Sequence, residues 1–213
     1  MKTFRAFTMI ELIFIIVVVG ILAAVAVPRI ERNGLIEAAD QLSSHIRYTQ
    51  QLAMNDNKFN ANDGNWHRKA WRIEFSGNGY FIYSDRDASG TSGNGEYAVD
   101  PMNPTKVLAP SGVGTDTTNQ NRKLDLGNTY SITNITLGGG CDEENHIMFD
   151  FKGRPMADDE NLYGGLYTAA CTITLTNEAG QTATIYVQPE TGYVGATAAQ
   201  SPNGDILYAG PGF

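Results

Sequence analysis

Cysteine and histidine are scarce in this chain of 213 residues, which has two of the former and three of the latter. No histidine lies at ligand spacing from Cys141 or Cys171, which argues against a zinc centre. His45, His67 and His146 are scattered, and no nucleophile motif frames a Ser, His and Asp, so no catalysis is expected. Basic residues are outnumbered, 15 Lys and Arg against 23 Asp and Glu, for a net charge of -8. Phosphates repel such a chain at long range, so nucleic acid is not expected as a general partner. Charged residues make up 18% of the chain and apolar ones 42%, which excludes a disordered or collagen-like polymer and leaves material for a core.

Long apolar runs are also missing, with one exception near the N-terminus. From Phe7 to Val27 there are 21 residues and one ionisable side chain, Glu11. As a helix this run rises about 31 Å, close to the roughly 30 Å hydrocarbon layer of a bilayer. Lys2 and Arg5 precede it, and Arg29 and Arg32 follow it, so flanking charge does not orient it. One reading is a signal peptide cut after Ala24-Val25-Ala26. The other is a retained transmembrane helix, favoured by Glu11, since a carboxylate within a span is normally there for a partner. Beyond Pro28 the pattern stays helical. Leu35, Ala39, Leu42, Ile46, Thr49 and Ala53 recur at spacings of 4, 3, 4, 3 and 4, one stripe on a helix. The spacing predicts a single rod from Phe7 to about Asn55, kinked at Pro28 and amphipathic in its second half.

The segment Arg5-Ala6-Phe7-Thr8-Met9-Ile10-Glu11, with the apolar run and Pro28 behind it, resembles the processing motif of type IV prepilins and type II secretion pseudopilins. The resemblance implies a leader of residues 1–6, cleavage between Ala6 and Phe7, and methylation of the new Phe7 amine. It also implies that residues 7–28 stay attached as a transmembrane helix, continued by an amphipathic stretch over 29–57. Assembly roles fall on Glu11 and Pro28. That family has Gly before the cut where this chain has Ala6, the next smallest residue, so slower cleavage is expected. In a filament, Glu11 needs a cation among packed apolar helices, and the Phe7 amine of a neighbour supplies one.

After Asn57 the pattern turns to strands. Ala70–Phe75 alternates, Gly77-Asn78-Gly79 reads as a turn, and Tyr80–Tyr83 returns. Further strands are expected around 106–108, 123–126, 131–137, 146–151, 171–176 and 182–187. The tail from Tyr193 shows weak periodicity and receives no assignment. The expected fold is α+β: a long N-terminal helix packed on an antiparallel β-domain of seven or eight strands over 58–213, a pilin-like arrangement. The order His146–Pro155, containing Phe149-Asp150-Phe151-Lys152-Gly153-Arg154-Pro155, then Cys171–Thr176 and Thr184–Val187, resembles the H-type (GspH/FimT) minor pseudopilins. The stretch Tyr97–Gly140 is an expansion relative to that pattern.

The resemblance implies a single-pass protein of the bacterial inner membrane with its C-terminal domain in the periplasm, later built into a pseudopilus. Implied partners are other pseudopilins or pilins, a prepilin peptidase, an assembly platform and ATPase, and the inner membrane. The alternative is a minor type IV pilin with a tip role in DNA uptake or adhesion.

Asp85-Arg86-Asp87-Ala88-Ser89-Gly90, with Glu96 at the twelfth position, has the oxygen-ligand spacing of a calcium loop. Asp85, Asp87 and Ser89 would offer side-chain oxygens, Thr91 its carbonyl, and Glu96 a bidentate carboxylate. The competing reading is an acidic Gly-rich hairpin loop that holds no ion. Cys141 and Cys171 make an even pair in an exported domain, which favours a disulfide over two buried thiols. Trp66-His67-Arg68-Lys69-Ala70-Trp71-Arg72 is a basic, aromatic patch. It suits either base stacking or a strand entry whose aromatics pack inward and whose charges face water.

Overall fold

The computed structural model describes residues 8–26, 34–112, 119–142, 145–157, 165–196, 199–204 and 206–208. The chain forms two compact units, Met1–Asn33 and Gly34–Phe213. The first contains helix α1 (Met9–Ala26). Glu11 sits in its first turn, where its N–H meets Thr8 Oγ1 at 3.4 Å.

The expected single pass through an inner membrane is overturned: among the described residues, no helix is long and apolar enough to cross a membrane. The 21-residue count ran from Phe7 to Val27, whereas α1 has 18 residues. Beyond Glu11, the apolar stretch Leu12–Ala26 rises only about 22 Å against a layer of roughly 30 Å. The Pro28 kink lies outside the described residues, as do Ala6 and Phe7.

The second unit is α+β, a helix packed on antiparallel sheets. Helix α2 (Gly34–Asn55) buries Leu35, Ala38, Ala39, Leu42, Ser43, Ile46, Thr49 and Ala53. These include all six positions of the stripe, so the helical period set the buried face. Strands β1 (Trp71–Ser76) and β2 (Gly79–Ser84) form the expected hairpin, in the register Ile73↔Ile82. Next come a short hairpin of β3 (Val99–Asp100) and β4 (Asn103–Val107), the five-residue helix α3 (Leu126–Tyr130) and β5 (Ile132–Gly139). They are followed by β6 (His146–Phe149), β7 (Pro155–Met156), β8 (Cys171–Asn177) and β9 (Thr182–Val187). The tail adds β10 (Val194–Ala196), β11 (Ala199–Gln200) and β12 (Ile206–Tyr208).

One sheet runs β2-β1-β6-β7 and a second β12-β11-β9-β8-β5, with β10 also on β9. Both present alternating apolar residues to α2. Ile73, Ile147 and Phe149 from the first sheet and Ile173, Leu175, Ile185 and Val187 from the second join Leu35, Leu42 and Ile46 in one core. Strand β2 is buried along its whole length. Its second face is covered by Tyr97, Val107 and Ala109 packing on Phe81 and Tyr83.

One expected strand is not a strand. Residues Arg122–Leu124 make a turn of 3-10 helix and Leu126 begins α3. The side chains of Asn121 and Asp125 accept from the N–H groups of Lys123 and Asn128, capping each start.

Candidate functional site

The Asp85 loop grows from the end of β2. Tyr83 pairs with Tyr97, and the Ser84 N–H donates to the Glu96 carbonyl at 3.1 Å, so both ends of the loop are pinned. Gly90 takes a left-handed φ of +81°, the sharp turn its position in the motif requires. Asp85, Asp87 and Glu96 converge, with one oxygen of each within 4.8 Å of the others. Asp85 is 0% exposed and Glu96 7%.

Backbone amides hold the carboxylates in place. Asp85 accepts from the Ser89 N–H (3.0 Å) and the Gly90 N–H (2.8 Å). Glu96 accepts from Arg86 and Gly93, at 2.7 and 2.6 Å. Hydrogen bonds from Ser89 hold the exposed Asp87 carboxyl below its usual range, so it stays ionised at neutral pH. Ser89 lies against these carboxylates, its N–H donating to Asp85 (3.0 Å) and Asp87 (3.1 Å), and its hydroxyl donates to the Thr91 carbonyl at 3.1 Å. The donor set is hard, all oxygen, and of a size that one calcium ion spans with ligands at about 2.3–2.6 Å.

Cys141 and Cys171 are joined by a disulfide with a Cα–Cα separation of 5.1 Å. Cys171 opens β8 opposite Gly139, and Cys141 follows the end of β5. The link therefore ties the edge strand β5 to the sheet at the point where pairing ends.

The Phe149–Pro155 motif is a closed turn. Asp150 accepts from the N–H groups of Lys152 and Arg154, and Arg154 Nε donates to Asp150 Oδ2 at 2.7 Å. Sequence reasoning missed what this turn docks on. The Gln50 amide on α2 donates to the carbonyls of Gly153 and Gly192, 2.8 Å each.

The Trp66–Arg72 patch does not face outward. Trp66 and Trp71 are each 6% exposed, and Lys69 binds Asp63 at 2.8 Å. Arg72, expected at the surface, is buried with its guanidinium over the Tyr83 ring and a hydrogen bond to the Arg68 carbonyl. No ring of this patch is presented for base stacking.

Of the histidines, His45 occupies a defined network. Gln41 Nε2 donates to the Lys123 carbonyl (2.9 Å), and the Tyr130 hydroxyl donates to Gln41 Oε1 (2.8 Å), which fixes the orientation of the amide. Gln41 Nε2 also donates to Tyr80 Oη at 2.9 Å, so the Tyr80 hydrogen goes to His45 Nδ1, 2.7 Å away. Neutral His45 therefore carries its proton on Nε2. Burial lowers its pKa from 6.5, opposed by the charge of Asp100.

No family model, curated protein or solved structure matches this chain.

Proposed function

We propose that this chain is a structural assembly subunit of the pilin-like class, a minor pseudopilin of a type II secretion pseudopilus, built into a filament through α1. One observation carries the reading. Helix α1 is apolar on every side, and all its described side chains, Met9 to Leu22, are exposed in the isolated chain. A helix of that kind is covered in its working state. Equivalent helices of neighbouring subunits supply the cover, packing side by side along the filament axis.

Glu11 is the one ionisable group on α1. Among packed helices it would pair with the Phe7 amine of the next subunit. That pairing would set the axial offset, because any other offset leaves a charge unpartnered in apolar surroundings. A prepilin peptidase cutting after Ala6 would create the amine. An assembly ATPase and platform protein would drive addition. These partners, and the subfamily, rest on the sequence resemblance alone.

The unit Gly34–Phe213 would then present its surface to other pseudopilins. Its Asp85–Glu96 loop is proposed to hold a calcium ion, which would relieve repulsion among three converging carboxylates.

Mass spectrometry of the mature chain tests the reading. A first residue Phe7 bearing an N-methyl group supports it. A first residue Val27 overturns it, because cleavage after Ala26 would discard α1. Glu11→Ala gives an independent arm: incorporation into filaments is expected to be lost while the thermal unfolding of the chain stays unchanged. Normal incorporation of that variant contradicts the proposed pairing.

A further inference from the structure

Strand β5 (Ile132–Gly139) ends the second sheet and pairs with β8 along one side. Its hydrogen-bond phase shows what the other side offers. The Asn177 N–H of β8 donates to the Gln181 carbonyl at 3.0 Å across the turn into β9, so alternate residues of β8, Leu175 among them, bond to β9. Thr176, Thr174 and Thr172 then bond to β5, where they lie opposite Asn134, Thr136 and Gly138. The Gly140 N–H keeps this phase, donating to the Ala170 carbonyl at 3.0 Å. The N–H and C=O groups of Ile135 and Leu137 are therefore turned away from β8, out of the sheet. Among the described residues no strand meets them, and Thr133, Asn134 and Thr136 beside them are exposed. An edge of this length is normally blunted by charge or proline. From Ser131 to Cys141 this chain has neither. The pairing shift between Ile132 and Asn134 and the left-handed φ of Gly139 (+69°) bound a regular run over 134–138.

We propose that this run pairs with the same run of a second copy of the chain, antiparallel about a two-fold axis at Thr136. The N–H and C=O of Ile135 then bond those of Leu137 in the second copy, and Leu137 bonds Ile135 likewise, so every outward group of the run gains a partner. The strand is its own complement. Ile135 and Leu137 pack toward the core, so apolar meets apolar on that side, while Thr136 meets Thr136 on the exposed side. Pairing about a two-fold also sets side chains beside their own kind. On a chain of net charge -8, an uncharged strand can do this without repulsion. Centring on Thr136 keeps the pairing within the regular run, clear of Ile132 and Gly139. So short a pairing buries less than the roughly 1,600 Å² of a standard interface, so the dimer is weak and forms at high local concentration. The proposal stands apart from the filament reading and survives its failure.

The test uses the full chain in a non-ionic detergent, which covers α1, and oxidation by copper phenanthroline. Thr136→Cys is expected to give a covalent dimer on non-reducing gels, because facing residues at the axis lie about 4.5 Å apart, within disulfide reach. Asn134→Cys, on the same exposed face, is the control. The register sets its two copies four residues out of step, about 14 Å along the strand and beyond that reach. At least a five-fold excess of dimer from Thr136→Cys is expected, with unchanged thermal melts and the Cys141–Cys171 bridge intact by mass spectrometry. Equal dimer from both variants marks random collision in micelles and overturns the proposal, as does no dimer from a folded Thr136→Cys chain. A second measurement needs no substitution. Amide exchange at Ile135 and Leu137 of the native chain should slow at least three-fold as concentration rises from 5 μM to 500 μM. Exchange independent of concentration overturns the pairing.

Discussion

Gln50 and Gly192 lie 142 residues apart and meet at 2.8 Å, the helix side chain donating to the turn carbonyl. The same nitrogen donates to the Gly153 carbonyl. One amide thus clamps two turns of the β-domain onto α2, and Gly192 makes this possible. Its φ is +64°, and a Cβ there would run into the Gln50 amide and the Gly153 carbonyl.

Gly192→Ala is therefore expected to destabilise the protein by about 1–3 kcal/mol, through a disfavoured backbone conformation and a forced shift of the clamp. Gln50→Ala should cost about 1–2 kcal/mol by leaving two carbonyls without their donor. Urea unfolding of the two single variants and the double variant measures both. The costs should not add, because both substitutions act on one contact. Additive costs would show that the clamp is not shared.

Calcium binding at the Asp85 loop predicts a rise in unfolding temperature of about 3–5 °C at ten times the dissociation constant. Asp87→Asn is the informative variant, because Asp87 is exposed and its loss should leave the apo protein's stability nearly unchanged. The expected outcome is a shift in the native chain that the variant lacks. No shift at 10 mM calcium would identify the loop as a hairpin held by its own amides.

These sites were legible to different degrees. The α2 stripe could be read because burial follows the helical period, and β8 and β9 because exposure alternates along them. The carboxylate spacing was visible because Asp85, Asp87 and Glu96 lie within twelve positions of one another. Local hydrogen bonding decided the remainder of that loop, and it turned Ser89 and Thr91 toward each other. The strand expected around 123–126 is instead a 3-10 turn and the start of α3, because the Asx caps at Asn121 and Asp125 favour helical starts. The strands of the tail are two or three residues long, too short to show a period. The contacts made by Gln41 and Gln50 span 39 to 142 positions and leave no local trace.

The disulfide closes a loop spanning 30 positions, worth roughly 3.5 kcal/mol in the chain-entropy model. Replacing Cys141 and Cys171 by Ala should lower the unfolding temperature by about 7–14 °C. Reductant should do the same to the native protein and nothing further to the double variant. An unchanged melting temperature under reductant, with thiol titration confirming two free cysteines, would remove the bridge from the account of stability.

His45 gives the fold a pH dependence whose sign follows from its network. Its folded pKa lies below 6.5, first because of burial, with Asp100 opposing. The unfolded state then binds the proton more readily, so stability rises with pH wherever this group titrates. The contribution is complete above pH 6.5 and is lost as pH falls through the lower folded value. The cause is specific. A protonated ring must donate from Nδ1 to Tyr80 Oη, which already accepts from Gln41, and the Tyr80 hydrogen then loses its acceptor. Asp100 favours the added charge but does not overcome the burial of the ring. His45→Gln keeps an acceptor for Tyr80 and removes the titration. Unfolding free energies of the two proteins should therefore diverge as pH falls from 7.5 to 5, the native chain losing more. The other histidines are common to both and cancel in the difference. Parallel profiles would show that the Tyr80–His45 bond tolerates protonation, and would remove this histidine from the acid sensitivity of the fold.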